Sequence, residues 1–381
     1  MRILNAVVFL LLPLGPVAVA QEKVTPDDPD PFEAKVEQSL KSQGAYVIRD
    51  KQGPAHFIRE IINVNDISDA ELRSLSRLKH LHTLQLGNAV DAKVKVAAEL
   101  SQLRQVCIGG SAGFTDAGLA ELNRLPSLER VMVQCGSITD KGVKALTASK
   151  QLKDLGFQSV ALGDAGMKHL AEFKELRSLY LNEVQVTGEQ LSCIKQVQNL
   201  CLFRNPLTPA GIKELGKLTN LRSLAVAHDF TDDHVKELAG LIRLESLNLQ
   251  QNPRITDASL KWLTEMENLQ DLALTDTAVT GAGLKQLAGL KKLRTLYLFS
   301  TPINDAALKE VAQLKSLQEL WIDRCLGITD AGVKHLEGLP NLRRINLADT
   351  RISGNALSAL QMALPKCEII SGRTGNVHIP D

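Results

Sequence analysis

The densest set of side chains able to hold a metal ion in this 381-residue chain is His228, Asp229, Asp232, Asp233 and His234. Zinc needs three or four ligands converging on one point. Asp232 and Asp233 follow Thr231 in the pattern that opens a helix, a hydroxyl cap with acids in the first turn. That duty accounts for the acids, and no metal site is assigned. Six cysteines form the next reactive set: Cys107, Cys135, Cys193, Cys201, Cys325 and Cys367. There is no H-E-x-x-H, no phosphate-binding G-x-x-x-x-G-K-[ST] and no dinucleotide-binding glycine fingerprint. No catalytic residue and no cofactor is assigned, and a non-enzymatic protein is expected.

What positions these residues is a repeat. The pattern L-x-x-L-x-L begins at Leu81, Leu103, Leu128, Leu152, Leu176, Val197, Leu221, Leu244, Leu269, Leu293, Leu317 and Leu342, at spacings of 21 to 25 residues. Within a unit the first Leu, the residue three on and the residue five on suit a short strand with one apolar side. A turn follows, then a segment such as Thr115-Asp116-Ala117-Gly118-Leu119, with Leu122 and Leu125 at helical spacing. The Thr predicts an N-cap, and Asp116, Asp140, Asp232, Asp257, Asp305 and Asp330 each fall near a positive helix end. Thr208-Pro209 and the capping box Ser68-Asp69-Ala70-Glu71 fit the same scheme.

No single unit can bury its own apolar face, so the units must stack, with strands in one parallel sheet. Composition agrees: apolar residues make up 44% of the chain and aromatics only 4%, which suits many thin aliphatic layers. Helices are wider than strands, so the stack should curve with the sheet on its inner face. The fold class expected is an α/β solenoid, a horseshoe with a parallel β-sheet on the concave face and helices on the convex face. In that register no two cysteines meet the roughly 4.4–6.8 Å α-carbon spacing of a disulfide, and mostly free thiols are expected.

The repeat resembles the leucine-rich-repeat family, and specifically its cysteine-containing, ribonuclease-inhibitor-like branch, whose units read L-x-x-L-x-L-x-x-C-x-x-I-T-D-x-G-L. Residues 248–257 (NLQQNPRITD) and 321–330 (WIDRCLGITD) carry the resemblance, which covers roughly residues 57 to 370. It implies a binding scaffold. Eukaryotic relatives in this branch recognise substrates for ubiquitin ligases, but they carry an F-box ahead of the repeats. Residues 21–56 are too short for one, and the export signal described below contradicts that role. The column eight residues after the first Leu departs from the pattern, with Cys only at Cys325, Asn at Asn205 and Asn252, and Thr at Thr277, Thr301 and Thr350. These side chains can bond backbone in the turn. Ala89, Ser111, Gly136, Val160 and Val184 occupy the column earlier in the chain, which predicts a less regular N-terminal half.

Side chains two, four and six positions after the first Leu point away from the core. The central column runs Gln85, Cys107, Met132, Gly156, Tyr180, Cys201, Ala225, Asn248, Ala273, Tyr297, Trp321 and Asn346, and the next column adds Phe203 and Phe299. Large rings on an open sheet supply contact area at low entropic cost. Tyr297, Phe299 and Trp321, flanked by Glu319, Asp323 and Arg324, form the candidate binding patch, with Tyr180 and Phe203 as further candidates. A protein partner is the first reading, a carbohydrate or cell-envelope glycan the second, and a structural role in an extracellular layer the third.

Residues 1–20, MRILNAVVFLLLPLGPVAVA, place one positive charge before an apolar run ending in Ala18-Val19-Ala20, a pattern for signal-peptide cleavage after Ala20. Pro13, Gly15 and Pro16 suit a spanning helix poorly. Export to the periplasm or beyond is expected, with no membrane span after cleavage. Loss of Arg2 takes 44 basic residues to 43, against 43 acidic, which leaves no electrostatic footprint for nucleic acid. The expected organisation is a signal peptide (1–20), an acidic Pro-rich linker (21–31), an N-terminal cap of helix plus short strand (32–56), one degenerate and twelve full repeats (57–366), and a closing strand and tail (367–381).

Overall fold

The computed structural model describes residues 30–50, 57–134 and 136–372. The expected signal peptide, the linker up to residue 29, Cys135 and the tail from residue 373 lie outside them. Fifteen strands lie side by side in chain order, from β1 (Tyr46–Arg49), β2 (Ile58–Val64) and β3 (Thr83–Ala89) through to β15 (Glu368–Ile370). β1 is antiparallel to β2, and each later neighbour is parallel. Each strand's apolar side feeds one continuous core, with Leu84, Leu224, Leu272 and Leu320 fully buried. This is the expected solenoid.

The connecting segments are short. Most are α-helical, as in Asp116–Glu121 and Asp140–Leu146, but Leu191–Ile194, Asp257–Leu263 and Leu284–Gly289 are 3-10 turns where helices were expected. In two of these three units a glycine with left-handed backbone follows the cap, Gly188 (φ 88°) and Gly281 (φ 102°), in place of the usual aspartate. That conformation is foreign to a first helical turn.

The acids after the caps do more than face a helix end. Asp116 reaches to the next coil, where its carboxylate accepts from Thr139 N–H (2.8 Å) and Thr139 Oγ1 (2.6 Å). Asp91 binds Thr115, Asp164 binds Thr187, Asp232 binds Thr256, Asp257 binds Thr280, Asp305 binds Thr329 and Asp330 binds Ser353 in the same way. The Thr-Asp pair is therefore both cap and inter-coil clamp. The glycine two residues after the acid follows from it: a Cβ on Gly118, Gly142 or Gly332 would stand 2.2, 2.3 or 2.3 Å from the previous coil's aspartate Oδ1.

A second ladder runs through the turns below the sheet. Asn252, fully buried, donates to Val226 O, Leu249 O and Gln250 O and accepts from Phe230 N–H. Thr277, Thr301 and Thr350 donate to Leu274 O, Leu298 O and Leu347 O, and Cys325 Sγ donates to Leu298 O at 3.2 Å. The column is structural, as its chemistry implied. The N-terminal half is the less regular, as expected: the pairings of β1 with β2, of β2 with β3 and of β3 with the strand after it carry register shifts, whereas the pairings from β10 onward run without one. The strands also shorten along the chain: earlier ones such as β5 (Arg130–Gln134) keep five or more residues, and β10 (Ser246–Asn248) and β11 (Asp271–Ala273) have three.

At the N-terminal end α1 (Pro31–Ser42) starts on Asp30, whose side chain accepts from Phe32 N–H at 2.9 Å. Glu33 turns inward, pairs with Arg49 at 3.0 Å and accepts from Ile58 N–H at 3.2 Å. A buried carboxylate needs such partners, and these tie the helix to the first two strands.

Candidate functional site: the concave sheet face

The candidate patch stands on β12 (Thr295–Tyr297), β13 (Glu319–Trp321) and β14 (Arg344–Asn346). Parallel register sets Tyr297 opposite Trp321, and their rings stack with centroids 5.9 Å apart and planes at 24°. Trp321 Nε1 donates to Glu319 Oε2 at 3.4 Å. Glu319 also receives Arg344 Nη1 (3.2 Å), whose Nε meets Glu368 (3.0 Å), so a charged row runs beside the ring row. On the other side Arg324 lies over the Phe299 ring, 5.8 Å from its centroid, and 3.9 Å from the Asp349 carboxylate. Arg324 holds a left-handed backbone (φ 57°) and its N–H donates to Ala348 O at 2.9 Å, which fixes it on the rim of the sheet.

The patch shifts its own ionisations. Burial pushes the Tyr297 hydroxyl up, and the Glu319 and Asp271 carboxylates push the same way. Burial also raises the Asp323 carboxyl, against the pull of its own backbone N–H and of Arg324. Arg344 is raised by its bond to Glu368 and by the charge of Glu319. The result is a ring pair framed by acids and two arginines, suited to holding a partner with mixed apolar and charged groups.

Six of the eight candidate residues come together here: Tyr297, Phe299, Glu319, Trp321, Asp323 and Arg324. Tyr180, on β7 (Ser178–Asn182), and Phe203, on β8 (Asn199–Phe203), do not join them. Tyr180 lies opposite Gly156 and Cys201, and Phe203 opposite Asn182 and Ala227. Four strand steps of about 4.8 Å separate Phe203 from the Tyr297 strand, roughly 20 Å. Arg344 was missed; its place in the column two after the first Leu was the available signal. Tyr46 (67% exposed) and Ile48 (40% exposed) were also missed, and antiparallel pairing sets them opposite Ile62 and Glu60 on this same face. The register of the β1–β2 pair decides that.

The remaining reactive groups are dispersed. Asp232 clamps Thr256, His234 Nδ1 accepts from Thr231 N–H at 3.3 Å, and His228 Nε2 accepts from Arg204 Nε at 2.8 Å. Among the described residues no three metal-ligating side chains form a group. Gly109-Gly110-Ser111-Ala112-Gly113 has the spacing of a hydrolase nucleophile turn. Its Ser111 Oγ donates to Ala89 O (3.2 Å) and accepts from Gly113 N–H (3.3 Å), which makes it a turn former. Cys107, Cys193, Cys201, Cys325 and Cys367 are free thiols, and burial pushes Cys107 up to about 11 and Cys201 to about 12.

The profile of the leucine rich repeat family matches residues 242–303, the stretch that ends beside the ring patch. The fold of the chain is that of a leucine-rich-repeat solenoid. Its fold is similar to an internalin of Listeria monocytogenes, at 18% identity and a TM-score of 0.54, over 91% of this chain and 96% of that one. It is also similar to a chain in the crystal structure of the yeast Rad7–Elc1 complex, at 17% identity and a TM-score of 0.55, over 82% of this chain and 87% of that one. At these identities the likeness is one of fold. No curated protein matches the chain in sequence. The open sheet forms one continuous surface, and three of its large rings, Tyr297, Phe299 and Trp321, stand together at β12 and β13.

Proposed function

We propose that this solenoid is an exported, non-catalytic scaffold that holds a protein partner on the C-terminal third of its concave sheet. The observation that carries the reading is the stacked Tyr297–Trp321 pair, with Phe299 and Arg324 beside it, on an open sheet of a protein with only 4% aromatic residues. Paired rings of this kind concentrate binding energy, and truncating a central one commonly costs about 2 kcal/mol or more. The yeast structure of similar fold is of Rad7 in complex with Elc1, a protein–protein assembly, which agrees with a scaffold reading. Membership of the cysteine-containing branch rests on the 321–330 segment, in which Cys325 bonds the turn of the preceding coil.

Export is supported by Arg2, the apolar run after it and the Ala18-Val19-Ala20 site. Protein recovered from the envelope or medium of expressing cells should begin at Gln21; recovery of the uncleaved chain inside the cell would count against this. Partners captured from envelope extract by the mature protein should be lost when Tyr297, Phe299 and Trp321 are replaced together by Ala, with the far-ultraviolet circular dichroism unchanged. If capture survives, the patch is not the binding surface.

A further inference from the structure

On the opposite, convex side, a recess of about 440 Å³ opens between the helix Asp232–Glu237 and the 3-10 turn Asp257–Leu263. Its ring is Trp262, partly buried against the core. The repeat does not require a ring there. The residue six after the cap is Glu121, Ala145, His169, Glu214, Glu237 and Glu310 in other coils. Lys261 and Lys236 hold their ammonium groups 4.7 and 5.5 Å from the Trp262 ring centre. Arg254 is brought to the rim by the backbone bridge between Thr231 and Arg254. Among the described residues none of these three cations has a carboxylate partner. The fourth charge in the recess with freedom to bind is Asp233, since the Asp232 carboxylate is taken by Thr256.

We propose that this recess binds a hexuronate, a carboxylate-bearing sugar unit of an acidic polysaccharide. The size falls within the range of small-ligand sites, roughly 300–1,000 Å³. Lysines and an arginine fork beside one flat ring match a carboxylate set on a sugar ring. Asp233 accepts from sugar hydroxyls, a bond that sulfate, which carries no donor, does not offer. An apolar ligand would find only Trp262 and Ala258 to cover. The site is independent of the concave patch, so each stands or falls alone.

The chain has two tryptophans, Trp262 and Trp321, so the full-length Trp321→Phe variant carries Trp262 as its one indole reporter. Titration of that variant with tetragalacturonate should give a saturable fluorescence change. Maltotetraose, a neutral α-1,4-linked tetrasaccharide, should bind at least about tenfold more weakly, and so should tetragalacturonate to the Lys261→Ala/Arg254→Ala double variant, since each removes charge-assisted bonds. Both replaced side chains are exposed, and circular dichroism checks that the coil is intact. No saturable change with tetragalacturonate, equal binding of maltotetraose, equal competition by sodium sulfate, or an unaffected double variant would each overturn the proposal.

Discussion

Replacing Asp257 by Asn tests whether the clamps between coils, and not the apolar stack alone, set the stability of this solenoid. The Asp257 carboxylate accepts four bonds from the next coil: Thr280 Oγ1 (2.5 Å), Thr280 N–H (3.1 Å), Gly281 N–H (3.1 Å) and Gly283 N–H (2.9 Å). Asn keeps one acceptor and turns an amide donor toward the others, so about two bonds to a charged group are lost. At about 1.5–3 kcal/mol for each such bond, discounted because the site is partly open to water, the net cost is about 2–3 kcal/mol. In a repeat protein stability is close to a sum of unit and neighbour terms, so the loss should fall on one interface. Urea unfolding followed by Trp262 fluorescence in a Trp321→Phe background measures the cost, and hydrogen exchange should show faster opening next to the clamp, around residues 280–298. Glu265→Gln, at an exposed position, serves as the neutral control.

Acid provides a second arm. Burial opposes ionisation of Asp257, but the bonds from Thr280, Gly283 and Gly281 outweigh it and hold the pKa below the ordinary 3.8. A lowered folded pKa means the carboxylate's contribution is complete above the unfolded value and disappears as pH falls through the folded one. The gap between parent and Asp257→Asn should therefore be full at neutral pH and close below about pH 4. A cost under about 0.5 kcal/mol, or a gap that persists in acid, would refute the clamp as a stabilising charge interaction.

Two further outcomes follow from packing and burial. Gly332→Ala should lower stability by about 1–3 kcal/mol through overpacking, because the new Cβ would lie 2.3 Å from Asp305 Oδ1 and 2.8 Å from Asp305 Cα. Helix propensity alone predicts the opposite sign, a gain of about 0.5–1 kcal/mol, so a raised melting temperature would count against the close approach. In a Cys135→Ser background, Cys107 and Cys201 should react with a disulfide reagent at pH 8 at least about 100-fold more slowly than in urea, since burial holds both as thiols. Reaction of either at the unfolded rate would place it in water.

The repeat period determined the architecture by itself. Leucines three and five apart, recurring every 21 to 25 residues, leave each unit with an apolar face that only its neighbours can cover. The strands, the core and the outward columns follow, and with them the meeting of Tyr297 with Trp321. The local sequence also determined the caps and the structural character of the Asn, Thr and Cys column. Tertiary structure decided what lay between coils. The Thr-Asp pair reads locally as a cap with a dipole-facing acid; only stacking brings the next threonine within 2.6 Å of that acid and excludes a side chain from the glycine two residues on. Direction was likewise invisible. Nothing in Tyr46-Val47-Ile48 tells antiparallel from parallel pairing, nor the register, Tyr46 opposite Ile62 and Ile48 opposite Glu60, that puts these two side chains on the concave face. The same holds for Trp262, whose recess exists only because two consecutive coils bring their lysines to one ring. Periodicity in a solenoid specifies each layer, while contacts between layers depend on register across about 24 residues, a distance over which local preferences carry no information.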